Sequence, residues 1–278
     1  MISQFNSFLK IYSKVFGLLA TMLVGALFPQ VHSLSFLIQY LLMGMLFFAF
    51  LDINFKPETF QRSVLWILLA NVGVAFLSYA VLASFDMTLA LTAFMTAIAP
   101  TAIAAPVIIG FIQGKIEYVV TAVLFTNISS AVIIPLTLPF LLGAEVQISV
   151  WEVLQPVLIV MFVPLILARL VSHLPPRTQK TIRKGKQFSF PIWLVNLFII
   201  TANASNFLRN ENSDSTFTLV TIALISLALC IVNFGVGALL GGRRNWQEAS
   251  QSLGQKNLSF VIWIALTFIN PLVAMGPT

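Results

Sequence analysis

Nine near-continuous apolar stretches dominate this chain and leave it very few ways to fold. They run over Val15–Val31, Leu34–Leu51, Val64–Ala83, Met87–Ile112, Tyr118–Leu142, Val150–Leu170, Phe188–Phe207, Phe217–Leu240 and Glu248–Ile269. A helix needs about 20 mainly apolar residues to cross roughly 30 Å of hydrocarbon, and these runs fit that length. They lack the period-two alternation of a membrane β-barrel strand. Composition agrees: 59% of the 278 residues are hydrophobic and 9% are charged, too few charges to cover a water-exposed surface. The expectation is an all-α polytopic membrane protein. A soluble enzyme, a nucleic-acid-binding module and a disordered chain are excluded.

The charges report orientation. With the N-terminus in the cytoplasm, the inner segments hold Lys10, Lys14, Lys56, Arg62, Lys115, Arg169, Arg177, Lys180, Arg183, Lys184, Lys186, Arg243 and Arg244. The outer segments hold only Arg209, and Lys256 is in no loop. Thirteen against one is the pattern of the positive-inside rule. It accounts for the net charge of +6 without nucleic acid, and places the chain in the inner or plasma membrane. The cluster from Arg177 to Lys186 reads first as a topology determinant, with contact to anionic headgroups as the alternative. Lys10 and Lys14 before an apolar run also fit a signal peptide, but with eight spans following, a retained first helix is expected. Cys230 is the single cysteine, and His32 and His173 lie in separate loops, so no disulfide framework, metal site or cofactor is expected.

Two spans are interrupted. The fourth reads MTAIAPTAIAAPVIIGFIQG, with Pro100 and Pro106 deep inside. Each interior proline removes a backbone hydrogen bond and clashes with the preceding turn, so the pair predicts an unwound segment from about Ala99 to Pro106. The ninth carries Ser252-Leu253-Gly254-Gln255-Lys256-Asn257 within its apolar run, and an intramembrane lysine is costly without a partner or a function. Blander readings are a simple kink for the prolines and a lysine that snorkels toward Glu248. Placement argues for more: each interrupted span is fourth in its half. Five helices per half oblige the halves to insert in opposite orientations, and paired interrupted helices at matching positions point to a midplane site. The halves are residues 1–143 (helices 1–5) and 144–278 (helices 6–9), and the symmetry calls for a tenth helix after Pro271 that this chain lacks. Asn71, Thr126, Asn127, Ser129 and Ser130 are polar groups at similar depth, available to line a cavity or to bond helices together. Asn196, Asn203 and Asn233 read as structural.

Pro100-Thr101-Ala102-Ile103-Ala104-Ala105-Pro106, the Thr126-Asn127 helix and Gly254-Gln255-Lys256-Asn257 resemble the bile acid:sodium symporter family, part of a superfamily of bile acid, arsenite and riboflavin transporters. The resemblance covers nearly the whole chain in helix order. It implies ten helices in two inverted five-helix repeats, here with the last helix missing. It also implies a panel domain of helices 1, 2, 6 and 7, a core domain of the rest, and helices 4 and 9 crossing at the substrate site. The sodium ligands do not carry over. Where the family has Ser and Asn after the fourth-helix proline, this chain has Ala105 and Pro106. Where it has Glu-x-Gly-x-Gln-Asn, this chain has Ser252, Leu253, Gly254, Gln255, Lys256 and Asn257. A lysine about 4 Å from a sodium ion costs on the order of 4 kcal/mol at an effective dielectric of 20, so the two-sodium arrangement is expected to be absent.

The resemblance thus implies a secondary transporter of small organic anions, secondary active or facilitative. Thr101, Ala105, Pro106, Asn127, Gln255, Lys256 and Asn257 are the candidate substrate residues. Pro100, Pro106 and Gly254 are the helix breakers. Lys256 stands in for the coupling ion near Ser252, Asn71 and Thr126, either keeping its charge or exchanging a proton in each cycle. The alternative is a transporter-derived receptor or scaffold that binds a ligand without moving it. An intramembrane enzyme has only a Ser252–Lys256 pair to stand on, and none is expected. The partners implied are the organic anion and the bilayer.

Overall fold

A computed structural model describes residues 16–51, 61–143, 148–210 and 215–277. Lys10, Lys14 and Lys56 of the charge pattern lie outside them. The helices are α1 (Phe16–Leu27), α2 (Leu37–Phe50), α3 (Ser63–Ala83), α4 (Met87–Ile98), α5 (Ala105–Phe111), α6 (Ile116–Leu142), α7 (Val150–Val171), α8 (Pro176–Lys184), α9 (Ser189–Asn210), α10 (Ser215–Gly254), α11 (Leu258–Phe268) and α12 (Pro271–Met275). No strand is present among the described residues; a single β-bridge pairs Thr101 with Lys256. This is an all-α membrane protein in which five helical segments are long and apolar enough to cross a bilayer. The 21 residues of α3 reach about 32 Å at 1.5 Å per residue. The shorter α1, α2, α4 and α11 correspond to other apolar runs of the sequence.

The fourth span divides where the prolines lie. Asp86 starts α4 by accepting a hydrogen bond from the Leu89 N–H at 2.8 Å, and the helix stops at Ile98, before Pro100. Residues 99–104 are non-helical, and α5 begins at Ala105 with Pro106 in its first turn. Pro106 therefore starts the second half-helix, where its missing N–H costs nothing, and lies outside the break. The eighth and ninth spans run together as α10, but Gly242 (φ 56°) and Asn245 (φ −136°) are non-helical and fold it into a hairpin. The ninth span divides again after Gly254, over residues 255–257, before α11.

Packing gathers helices around α2 and around α3, and α6 also lies against α7, which joins the two groups. Helix α2 lies against α7 and α9, and α3 lies against α4, α6 and α10. In the first group α1 joins through Gly25, where a side chain would meet the Phe198 carbonyl at 2.7 Å. In the second, Phe76 and Tyr79 of α3 close edge-on over Phe94 of α4. Residues Ala90–Ile98 of α4 and Phe260–Ala265 of α11 are all buried, whereas Leu69 and Leu77 of α3 and Leu224, Leu227 and Ile231 of α10 are exposed. The interrupted helices thus lie inside the protein, behind helices whose apolar faces are left for lipid. Unwound backbone at membrane depth is tolerated only in such a place.

Candidate functional site

The two breaks lie against each other. The Asn257 N–H donates to the Pro100 carbonyl at 2.7 Å, and the Ala102 N–H donates to the Gln255 carbonyl at 2.8 Å. This short two-strand contact supplies each broken segment with backbone partners that its own helix cannot give.

Side chains satisfy the rest. The Ile98 carbonyl, in the last turn of α4, accepts from Asn71 Nδ2 and from Ser130 Oγ, both at 3.0 Å. The Thr101 N–H donates to Thr126 Oγ1 at 2.9 Å, and the Thr101 carbonyl accepts from Asn127 Nδ2 at 3.1 Å. The breaks also serve each other's preceding half-helix. Thr101 Oγ1 donates to the Ser252 carbonyl at 2.6 Å, in the last turn of α10. Lys256 Nζ donates to the Ala97 carbonyl at 2.8 Å, in the last turn of α4, and to Asn71 Oδ1. A cation is favoured at a helix C-terminus, where unpaired carbonyls carry partial negative charge. Lys256 does not snorkel to an interface. Its side chain crosses between broken segments and ends against α3 and α4.

A cavity of about 850 Å³ lies beside this crossing, within the 300–1,000 Å³ range of small-molecule sites. One wall is the crossing itself: Ala102, Ile103, Ala104, Pro106 and Lys256–Ser259. The facing wall is Leu42, Met45, Leu46 and Ala49 of α2 with Ser189 and Trp193 of α9, and Lys186 also lines it. The Asn257 Nδ2 is buried with no hydrogen-bond partner in the protein.

Of the candidate substrate residues, Pro106, Lys256 and Asn257 line the cavity. Thr101, Ala105 and Asn127 are buried behind it, and Gln255 Nε2 donates to Gln251 Oε1. Asn71 and Asn127 hold the break and do not face the cavity. Ser130 acts as a bond between helices, one of the alternatives for that polar run. Ser252 Oγ donates to the Glu248 carbonyl at 2.7 Å and Thr126 Oγ1 to the Ala122 carbonyl at 2.8 Å, so neither hydroxyl is bonded to Lys256. Gly254 ends α10 with no room for a side chain, its missing Cβ position lying against the Phe234 ring. The α2 and α9 wall was not foreseen, because nothing in those apolar runs separates a cavity-facing Leu or Met from a lipid-facing one. Asn196, one turn beyond Trp193, is fully buried with neither amide atom partnered, whereas Asn203 bonds Ser35 Oγ at 2.6 Å.

Fold and site define a polytopic α-helical membrane protein with a cavity against two crossed, interrupted helices. No family model matches the chain. It is similar to "Uncharacterized protein YbaS" of Bacillus subtilis (strain 168), with 24% identity over 187 residues, covering 65% of this chain and 60% of that relative. The chain thus spans about three fifths of the length of the curated relative it matches.

Proposed function

We propose that this chain is a secondary transporter of small organic anions, related to the bile acid:sodium symporters and working by alternating access. The observation that carries the reading is the crossing of two interrupted helices, bonded backbone to backbone, as one wall of the cavity. In this reading α2, α7 and α9 with α1 form the panel, and α3–α6, α10 and α11 form the core. Each group draws helices from both inverted repeats, and the crossing moves with the core while the panel stays fixed. The packing of α2 with α7 and α9, and of α3 with α4, α6 and α10, supports that division, with the α6–α7 contact as the seam between the two.

Lys256 is the tethered counterpart of a coupling ion. Its ammonium neutralises the carbonyl end of α4, the task a bound cation would otherwise perform. The anion is then met at the wall formed by Asn257, Leu258 and Ser259, by the N-terminal turn of α11, where backbone N–H groups point outward from the helix. The positive-inside pattern puts the N-terminus and the Arg177–Lys186 segment in the cytoplasm of a multi-pass inner- or plasma-membrane protein.

The test is uptake of an organic-anion panel into proteoliposomes, first in sodium and then in choline. Equal uptake in both is expected. Lys256→Gln is expected to lose uptake in choline and regain it in sodium. Normal uptake by both Lys256→Gln and Lys256→Ala would sink the tethered-cation reading. Tight binding without uptake in either buffer would select a receptor instead.

A further inference from the structure

The basic segment ahead of α9 is a helix with two unlike faces, and this was not visible in the charge count. Helix α8 reads PRTQKTIRK. Gln179 and Ile182 lie one turn apart and turn toward the protein: Ile182 packs on the core, and Gln179 Nε2 donates to the Leu174 carbonyl at 2.8 Å and the Ser172 carbonyl at 3.0 Å. At 100° per residue, Arg177, Lys180 and Lys184 fall together on the opposite side, and all three are exposed. None of the three side chains has a hydrogen-bond or ion-pair partner among the described residues. From Val153 to Asn210 the sequence contains no Asp or Glu, so no acid along this stretch offsets the charge.

Two further observations point to a membrane surface. Leu174 just before α8 and Phe188 just after it are exposed large apolar side chains, and apolar residues flanking a cationic helix are what an interfacial segment buries at the headgroup boundary. The segment also lies close against α2. Gly185, which follows α8, sits so close to the Phe48 ring of α2 that a Cβ would meet it at 2.8 Å. Lys186 and Ser189, immediately beyond, line the cavity. The cationic face therefore lies a few residues from two side chains that line the cavity.

We propose that the Arg177, Lys180 and Lys184 face of α8 binds the headgroups of anionic phospholipids in the leaflet on its own side of the membrane. The inference is independent of transport: it needs only a membrane-embedded chain and a lipid phosphate. Fixed cations near an anionic surface each strengthen association roughly fivefold, and the attraction weakens as salt shortens the screening length.

The experiment follows the melting temperature of the purified full chain in neutral detergent, titrated with phosphatidylglycerol or with phosphatidylcholine. Phosphatidylglycerol is expected to raise it and phosphatidylcholine to leave it nearly unchanged. Arg177→Gln with Lys180→Gln and Lys184→Gln is expected to need roughly 100-fold more phosphatidylglycerol for the half-maximal rise. The charge-keeping set Arg177→Lys, Lys180→Arg and Lys184→Arg is expected to respond as the wild type does. A wild-type response from the neutralised triple variant would overturn the proposal, as would an equal loss in Arg243→Gln with Arg244→Gln. A matching rise with inorganic phosphate alone would replace the membrane by a free anion and overturn it too. Should the triple variant fail to insert, Lys180→Gln alone is expected to shift the half-maximal concentration about fivefold, and no shift would refute the assignment.

Discussion

At the scale of single residues the crossing is governed by reciprocity between Lys256 and Asn71. Asn71 Nδ2 donates to the Ile98 carbonyl at 3.0 Å, and its Oδ1 accepts from the lysine ammonium. Neither side chain can be removed without stranding the other. Asn71→Leu leaves a buried ammonium one acceptor short, at a cost of about 3 kcal/mol, while Lys256→Met strands only neutral acceptors at about 1–2 kcal/mol. The double variant removes both partners, so its loss is expected to fall short of the sum by about 0.5–3 kcal/mol. A denaturation cycle on the four proteins measures this. Strict additivity would show that the bond contributes nothing, and the lysine's place at the end of α4 would then rest on the Ala97 carbonyl alone.

At the scale of elements, glycine decides how closely helices approach. Gly237 and Gly241, one turn apart in the first half of α10, face Ala249 across the hairpin; a Cβ at Gly237 would lie 2.5 Å from the Ala249 carbonyl oxygen. Gly237→Ala is expected to destabilise by about 1–3 kcal/mol through overpacking. Gly44→Ala on α2 and Gly73→Ala on α3, where nothing lies within 4 Å of the added carbon, are expected to stabilise by up to about 1 kcal/mol. Melting temperatures that drop equally for all three would refute the close-approach account. The same scale shows what the sequence made legible. Apolar runs placed nearly every helix, since a span's length and composition are local properties. The breaks at Pro100 and after Gly254 were legible as breaks. Prolines alone do not mark them, however: Pro135 and Pro139 sit inside an unbroken α6, and Pro156 and Pro164 inside an unbroken α7. What keeps residues 99–104 unwound is a set of partners from Asn71, Thr126, Asn127, Ser130 and Lys256, drawn from three other segments. No local pattern announces that convergence. For the same reason the sequence points Asn71 and Asn127 toward the cavity, whereas the structure makes them braces.

At the scale of the whole molecule, the reading turns on whether the crossing is reached from one side of the membrane or from both. Two cavity residues report on this differently. Ser189 belongs to the start of α9, next to the cationic segment, and Ser259 to the first turn of α11 at the crossing; both line the cavity. In a Cys230→Ser background, which removes the native exposed thiol, Ser189→Cys is expected to react with a membrane-impermeant maleimide only from the side bearing Arg177–Lys186. Ser33→Cys, exposed in the turn between α1 and α2, is expected to react only from the opposite side, which fixes the orientation independently. Ser259→Cys is the discriminating position. If the core carries the crossing past a fixed panel, the thiol is presented to each side in turn, and reagent from either side labels it on the time scale of those motions, microseconds to seconds. Labelling from the Arg177–Lys186 side alone would mean a cavity that never changes its exposure, and the protein would then be a binder with a transporter's frame. Labelling of Ser33→Cys and Ser189→Cys from the same side would instead break the positive-inside argument and with it the order of the spans.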